Sequence, residues 1–135
     1  NHIKEKILDE ERLGLFEPDT YQKFMNDLYV ERNKFLCKIY KIKSEGFSIV
    51  GVGAAAKGNT FLNFYNLDNT VLDYVTDASE YKQGKYTPLT RIPIVGDEIF
   101  AKYDKVYALI LSWNISDALK KNLKKINNKI EFLSL

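Results

Sequence analysis

At Gly46 the chain changes its hydrophobic period, and that change restricts the possible folds more than any other feature. Before it, Tyr21, Phe24, Leu28, Phe35, Ile39 and Ile42 recur at spacings of threes and fours with charged residues between them. This is the pattern of a helix with one apolar face. A helix of about seven turns is expected from Pro18 to Gly46. A shorter one is expected over residues 3–13, where Ile3, Ile7 and Leu8 repeat ahead of Gly14. After Gly46 the apolar residues gather into short runs such as "FSIVGV" and "VYALIL". Continuous runs of this kind read as strands buried on both faces, and their alternation with helical stretches implies a parallel sheet.

The expected strands are 48–52, 71–76, 92–95, 105–112 and 129–133. The helices between them are 54–66, 97–102 and 116–126, and a polar loop covers 77–91. Right-handed crossovers favour the strand order 3-2-1-4-5. The fold class is therefore α/β: a Rossmann-like parallel sheet of about five strands flanked by helices and preceded by a long N-terminal helix. Two parts are expected, a helical segment 1–45 and a sheet domain 46–135. The first would pack on the second through Tyr21, Phe24, Leu28, Phe35 and Ile39.

At 135 residues with 45% hydrophobic and 28% charged residues, the chain has the composition of one folded domain. Its net charge of +2 argues against nucleic acid as a partner. The lysines at 120, 121, 124 and 125 fall on what reads as a solvated helix face. Cys37 and His2 are the sole residues of their types, so neither an internal disulfide nor a zinc cluster is expected, and no metal site is assigned. A reducing compartment fits one cysteine best. No apolar run reaches the roughly 18 residues that span a membrane, so no membrane partner and a cytoplasmic location are expected.

The stretch "GVGAAAKGNTFLNFY" follows the first strand. Gly51-x-Gly53-x-x-Ala56 fits the turn that presents backbone N–H groups and a helix N-terminus to a phosphate. The same small residues would also serve helix-strand packing in any parallel fold. Lys57 favours the first reading: a cation in the first helical turn opposes the helix dipole unless an anion sits there. A solvated lysine is the alternative. Asp77 ends the second strand, 26 residues after Gly51, where dinucleotide folds place an acid against ribose hydroxyls. The loop behind it carries Lys82, Lys85 and Tyr86 around Gly84 and Pro88, and long loops in compact domains tend to be functional. Trp113 and Asn114 close the fourth strand and are expected to face the glycine turn with an aromatic surface and an amide. They could equally cap the core and the next helix.

Taken in order, "GVGAAAKGNTFLNF", "DYVTDASEYKQGKYTP" with "IPIV", and "LILSWN" resemble the C-terminal domain of the sugar C-methyltransferases. Those enzymes use S-adenosylmethionine to methylate nucleotide-linked deoxysugars, and the resemblance extends over nearly the whole chain. It implies a nucleotide-sugar-binding domain in which Gly51, Gly53, Lys57 and the neighbouring backbone hold the diphosphate, with Ala54, Ala55, Gly58, Asn59 and Thr60 also among the substrate-binding residues. Asp77, Lys82, Gln83, Lys85, Tyr86, Trp113 and Asn114 would then shape the ribose, base or sugar site. The family's catalytic residues lie upstream of the matched region, so no catalytic residue is carried over. S-adenosylmethionine and zinc are expected in upstream domains of the native protein, with no cofactor bound by this one, and the isolated domain is expected to be inactive. Where relatives commonly have Gly-Thr-His, this chain has Leu89-Thr90-Arg91, which leaves the base and sugar preference open. Two other readings remain: a non-catalytic NAD or coenzyme A module, and an interaction domain that docks through the long helix.

Overall fold

The computed structural model describes residues 2–133. It divides into two compact units between Lys38 and Ile39. In the first unit, α1 spans His2–Arg12 and contains no buried residue. The longer α2, Pro18–Ser44, begins in this unit and ends in the second. Pro18 opens α2 at the first helical position, where its missing N–H and fixed φ cost nothing. Gly46 closes it at φ +82°, with Gly46 N–H donating to Lys43 O at 3.0 Å and Phe47 N–H donating to Ile42 O at 3.3 Å. That pair of bonds satisfies the last helical carbonyls and turns the chain into the sheet.

In the second unit the strands are β1 (Ser48–Val52), β2 (Tyr74–Thr76), β3 (Ile94–Val95), β4 (Val106–Ile110) and β5 (Glu131–Leu133). All neighbouring pairs are parallel, in the order β3-β2-β1-β4-β5. The helices α3 (Ala56–Phe64) and α4 (Ser116–Ile126) cover the sheet, with short 3₁₀ turns at Asp97–Lys102 and Trp113–Ile115. Ile49, Val50 and Val52 of the central β1 are all but inaccessible. Val50 and Val52 share one cluster with Phe100, Val106, Ala108, Ile110, Leu123 and Ile130. Burying each such side chain contributes roughly 1.5–3 kcal/mol, so the sheet unit carries its own core. The lysines 121, 124 and 125 of α4 are exposed while Leu123 is fully buried.

Several elements are shorter than their apolar runs. Val71 and Leu72 are buried, but their N–H groups both bond back to Asp68 O in a turn, so the second strand starts only at Tyr74. Ile92 N–H donates to the Thr87 hydroxyl, and Pro93 pairs with Tyr86 in an antiparallel bridge. β3 is thereby reduced to Ile94–Val95. The segment 97–102 is a 3₁₀ turn rather than an α-helix. Among the described residues, no helix is long and apolar enough to cross a membrane.

Candidate functional site

The site is built from the carboxyl end of β1 outward. Gly53 has φ +96°, a conformation that glycine alone adopts freely. A side-chain carbon there would lie 2.8 Å from Ser112 Cβ and closer still to the Ser112 hydroxyl. Gly53 therefore lets the β1 turn pass against the end of β4. Gly51 faces the packed interior, where an added carbon would meet Leu111, Val75 and Leu72 at 3.0–3.2 Å. Gly58 is buried, and a carbon there would reach Leu111 Cβ at 2.8 Å. The close helix-strand approach expected of Ala56 is thus made at Gly58, with Ala56 exposed two residues earlier.

Asp77 reaches into this turn. Its Oδ2 accepts the Ala54 N–H at 2.9 Å and the Lys82 ammonium at 2.8 Å, while its Oδ1 accepts the Ser79 N–H at 2.9 Å. Lys82 also donates to Ala54 O at 2.9 Å, and Gln83 Nε2 donates to Asp77 O at 3.0 Å. A carboxylate from the residue after β2 thus occupies a backbone donor just ahead of α3, the favourable end of the helix dipole for an anion. Burial pushes the Asp77 carboxyl pKa up. The Lys82 ammonium and the Ser79 and Ala54 amides together outweigh burial and hold it below the usual carboxylate range.

The sign of the pH dependence follows. A depressed folded-state pKa stabilises the folded arrangement above the unfolded value of about 4 and loses that contribution as pH falls through the lower folded value. The Ala54 and Ser79 amides are expected to keep their exchange protection above pH 4 and lose it in stronger acid. Hydrogen exchange across that range checks this, and protection independent of pH in wild type and Asp77→Asn alike would contradict it.

The loop after Asp77 is ordered by its own hydrogen bonds. Gly84 N–H donates to Ile94 O, Ile94 N–H to Lys85 O, and Thr87 N–H to Ile92 O, at 2.8–2.9 Å. The chain therefore doubles back along β3. The buried Thr87 and Thr90 hydroxyls share a 2.6 Å hydrogen bond. Lys85 stands over the Tyr81 ring at 3.4 Å, and Tyr86 is exposed.

Between this loop and α3 lies a cleft of about 460 Å³. Gly53, Ala54, Ala55 and Ala56 form its base, Asn59, Thr60 and Leu62 its helical side, and Thr87 and Pro88 the opposite wall. Val75, Ile94 and Leu111 complete the lining. The surface is largely apolar with a few convergent polar groups, which is the usual character of a small-molecule site. The Asn59 side-chain oxygen is buried with no hydrogen-bond partner, so a donor is wanted there.

Of the expected site residues, Gly53, Ala54, Ala55, Asn59 and Thr60 come together around the cleft. Asp77, Lys82 and Gln83 brace the turn that forms its base. Lys57 is exposed and does not line the cleft. Lys85 and Tyr86 border a separate depression with Pro93 and Gly96. Trp113 and Asn114 line another, together with the first residues of α4. The residue of β4's end that meets the glycine turn is Ser112. Ser112, Thr87 and Pro88 are not among the expected site residues, although they stand within the stretches "LILSWN" and "KYTP". A buried threonine pair across a turn has no signature of its own, so the bond between the Thr87 and Thr90 hydroxyls is not legible there.

Among the described residues there is no group of three or more His, Cys, Asp or Glu side chains able to hold a metal ion, and the lone Cys37 is exposed. Nothing described here fits zinc.

Comparison with known proteins matches residues 1–133 to the C-methyltransferase C-terminal domain. The chain is also 29% identical over 131 residues to the C-methyltransferase NovU of Streptomyces niveus, a match covering 97% of this chain and 30% of that protein. The chain thus spans less than a third of the length of this relative. With the family match running through every strand, the glycine turn and the cleft, the chain belongs to the C-methyltransferase C-terminal domain family.

Proposed function

We propose that the domain binds the nucleotide-sugar substrate of an S-adenosylmethionine-dependent C-methyltransferase acting on a deoxysugar. The observation that carries the reading is the cleft itself: an apolar hollow with Asn59, Thr60 and Thr87 around it, next to a strand-turn-helix. A deoxygenated sugar ring or a base suits such a lining, since it offers carbon surface together with a few hydrogen-bonding groups. The diphosphate would lie toward the α3 N-terminus, with Lys57 as its cation. Because Asp77 already takes the Ala54 amide, the anion would be met by side chains and the remaining turn. Lys82, Gln83, Lys85, Tyr86, Trp113 and Asn114 would contribute at the edges, where the substrate extends beyond the cleft.

The methyl donor and any zinc are assigned to other parts of the native protein, and the methyl-donor domain is the expected partner in the same chain. No residue here is given a role in methyl transfer, so the isolated domain should not methylate a nucleotide sugar. A cytoplasmic location in carbohydrate biosynthesis accords with a soluble, activated sugar as substrate.

Calorimetric titration with a panel of nucleoside diphosphate sugars and NAD tests the reading. A nucleoside diphosphate sugar should bind best, and Lys57→Ala should weaken it about 10-fold at low salt, less at high salt. A preference for NAD would replace this reading with a dinucleotide module. Equal affinities of wild type and Lys57→Ala would remove Lys57 from the phosphate site.

A further inference from the structure

We propose that the helical unit is the docking surface that holds this domain to the upstream, methyl-donor part of the same native chain, through Ile3, Ile7 and Leu8 of α1 and Phe16, Tyr21 and Phe24 at the turn into α2. This rests on the domain being the substrate-binding part of a longer methyltransferase. These side chains are 45–73% exposed, and no residue from 2 to 38 is buried. The shortage is most acute in α1. A lone helix of 11 residues is marginal in water, and α1 buries nothing against any other described element. Large exposed apolar patches mark interaction sites, and aromatic residues such as Phe16, Tyr21 and Phe24 are enriched at interfaces.

The unit lacks a core, yet its turn is set in advance. Gly14, at φ +68°, ends α1: its N–H donates to Glu11 O at 2.9 Å and the Leu15 N–H donates to Glu10 O at 3.0 Å. The Tyr21 hydroxyl donates to Leu15 O at 2.7 Å, tying the first turn of α2 to the chain leaving α1. Three observations select the occupant. The family match begins at residue 1, so the helices belong to the same domain as the cleft. The match to NovU covers 30% of that protein, so more than two thirds of that relative lies outside it. No methyl-donor site is assigned to this domain, and a methyl group reaches its acceptor only when the two are held about 3–3.5 Å apart. Two parts of one chain achieve that through a fixed contact outside the cleft. A lipid surface is disfavoured, because α1 has four acidic residues against three basic ones and helices that lie on lipid are rich in Lys and Arg. A second copy is disfavoured too: Glu31 and Lys38 fall where a heptad through Tyr21, Phe24, Leu28 and Phe35 calls for apolar residues.

Hydrogen exchange of this chain alone and of the full native chain, each with and without the paired substitutions Ile7→Asp and Phe24→Asp, tests the docking. Titration of the same proteins with the best-binding sugar of the nucleoside diphosphate sugar panel tests the cleft separately. The α1 amides should exchange at least about 10-fold more slowly in the full native chain than in this chain alone. The paired substitutions should abolish that difference and lower kcat for methyl transfer at least about 10-fold. They should leave the nucleotide-sugar affinity within about twofold, since the two sites share no residue. Equal exchange of α1 in both wild-type forms would overturn the docking. So would protection of α1 in this chain alone, whether sedimentation traces it to a dimer, added phosphatidylserine vesicles produce it, or the chain's own sheet unit does. A native chain with no domain ahead of this one would overturn it as well. If every form failed to bind a nucleotide sugar while α1 was protected in the full native chain alone, the docking would be supported and the reading of the cleft would fall.

Discussion

Gly53→Ala should destabilise the sheet unit by about 2–6 kcal/mol and remove ligand binding at the cleft. Two costs add. An alanine held at φ +96° carries strain of about 1–3 kcal/mol. Its methyl group would also run into the Ser112 side chain, and overpacking of this kind costs about 1–3 kcal/mol more. The turn could relieve both only by moving away from the end of β4. That would break the Gly53 N–H bond to Thr76 O at 2.7 Å and displace Ala54 from Asp77. Ser112→Gly should restore the steric share and leave the backbone share, which a double-mutant cycle in urea separates. Gly51→Ala is the control: its neighbours are side-chain ends at 3.0–3.2 Å and its φ is ordinary, so a smaller loss is expected. Equal losses at both positions would mean that the left-handed turn is not what makes Gly53 necessary.

The contrast between those glycines also shows what could be read from sequence. A strand followed by Gly-x-Gly and a helix identified the turn correctly, because strand, turn and helix signals are local. The sheet order was legible for a related reason: five apolar runs separated by helices leave few right-handed parallel arrangements. Which partner each glycine approaches was not legible. Gly58 against Leu111 and Gly53 against Ser112 are contacts between residues more than fifty positions apart, and nothing local encodes them. Asp77 shows the same limit. Its place at the end of β2 was expected, but its bonds to Ala54 and Lys82 depend on the path of a loop with no periodic signal. Strand ends blurred where buried residues make turn bonds in place of ladder bonds, as Val71 and Leu72 do. Apolar runs record burial, and burial is broader than pairing.

Within α2 the same apolar seam should have two different energetic meanings, and Ile39→Ala against Phe24→Ala tests this. By spacing the two residues are equivalent. Ile39 has no accessible surface and belongs to the sheet unit, whereas Phe24 is 58% exposed and belongs to the helical unit. Ile39→Ala should therefore cost about 2–5 kcal/mol, from lost burial and the cavity left behind. Phe24→Ala should stay within about 0.5 kcal/mol, as exposed substitutions do. The last turns of α2 are held at several points. Ile42 is buried beside Ile39 in sequence, Lys43 pairs with Asp73 at 3.8 Å, and Gly46 and Phe47 close the helix onto Lys43 and Ile42. Asp73 in turn accepts the Tyr103 hydroxyl at 3.0 Å, a link from the foot of β2 to the chain entering β4. The cavity at residue 39 should thus loosen the base of the sheet as well as the helix. Urea denaturation of both variants, followed by far-ultraviolet circular dichroism and tryptophan fluorescence, measures the difference. Similar losses for Ile39→Ala and Phe24→Ala would make the whole seam from Tyr21 to Ile42 one packing surface, and the domain would then begin near Pro18 in place of Ile39.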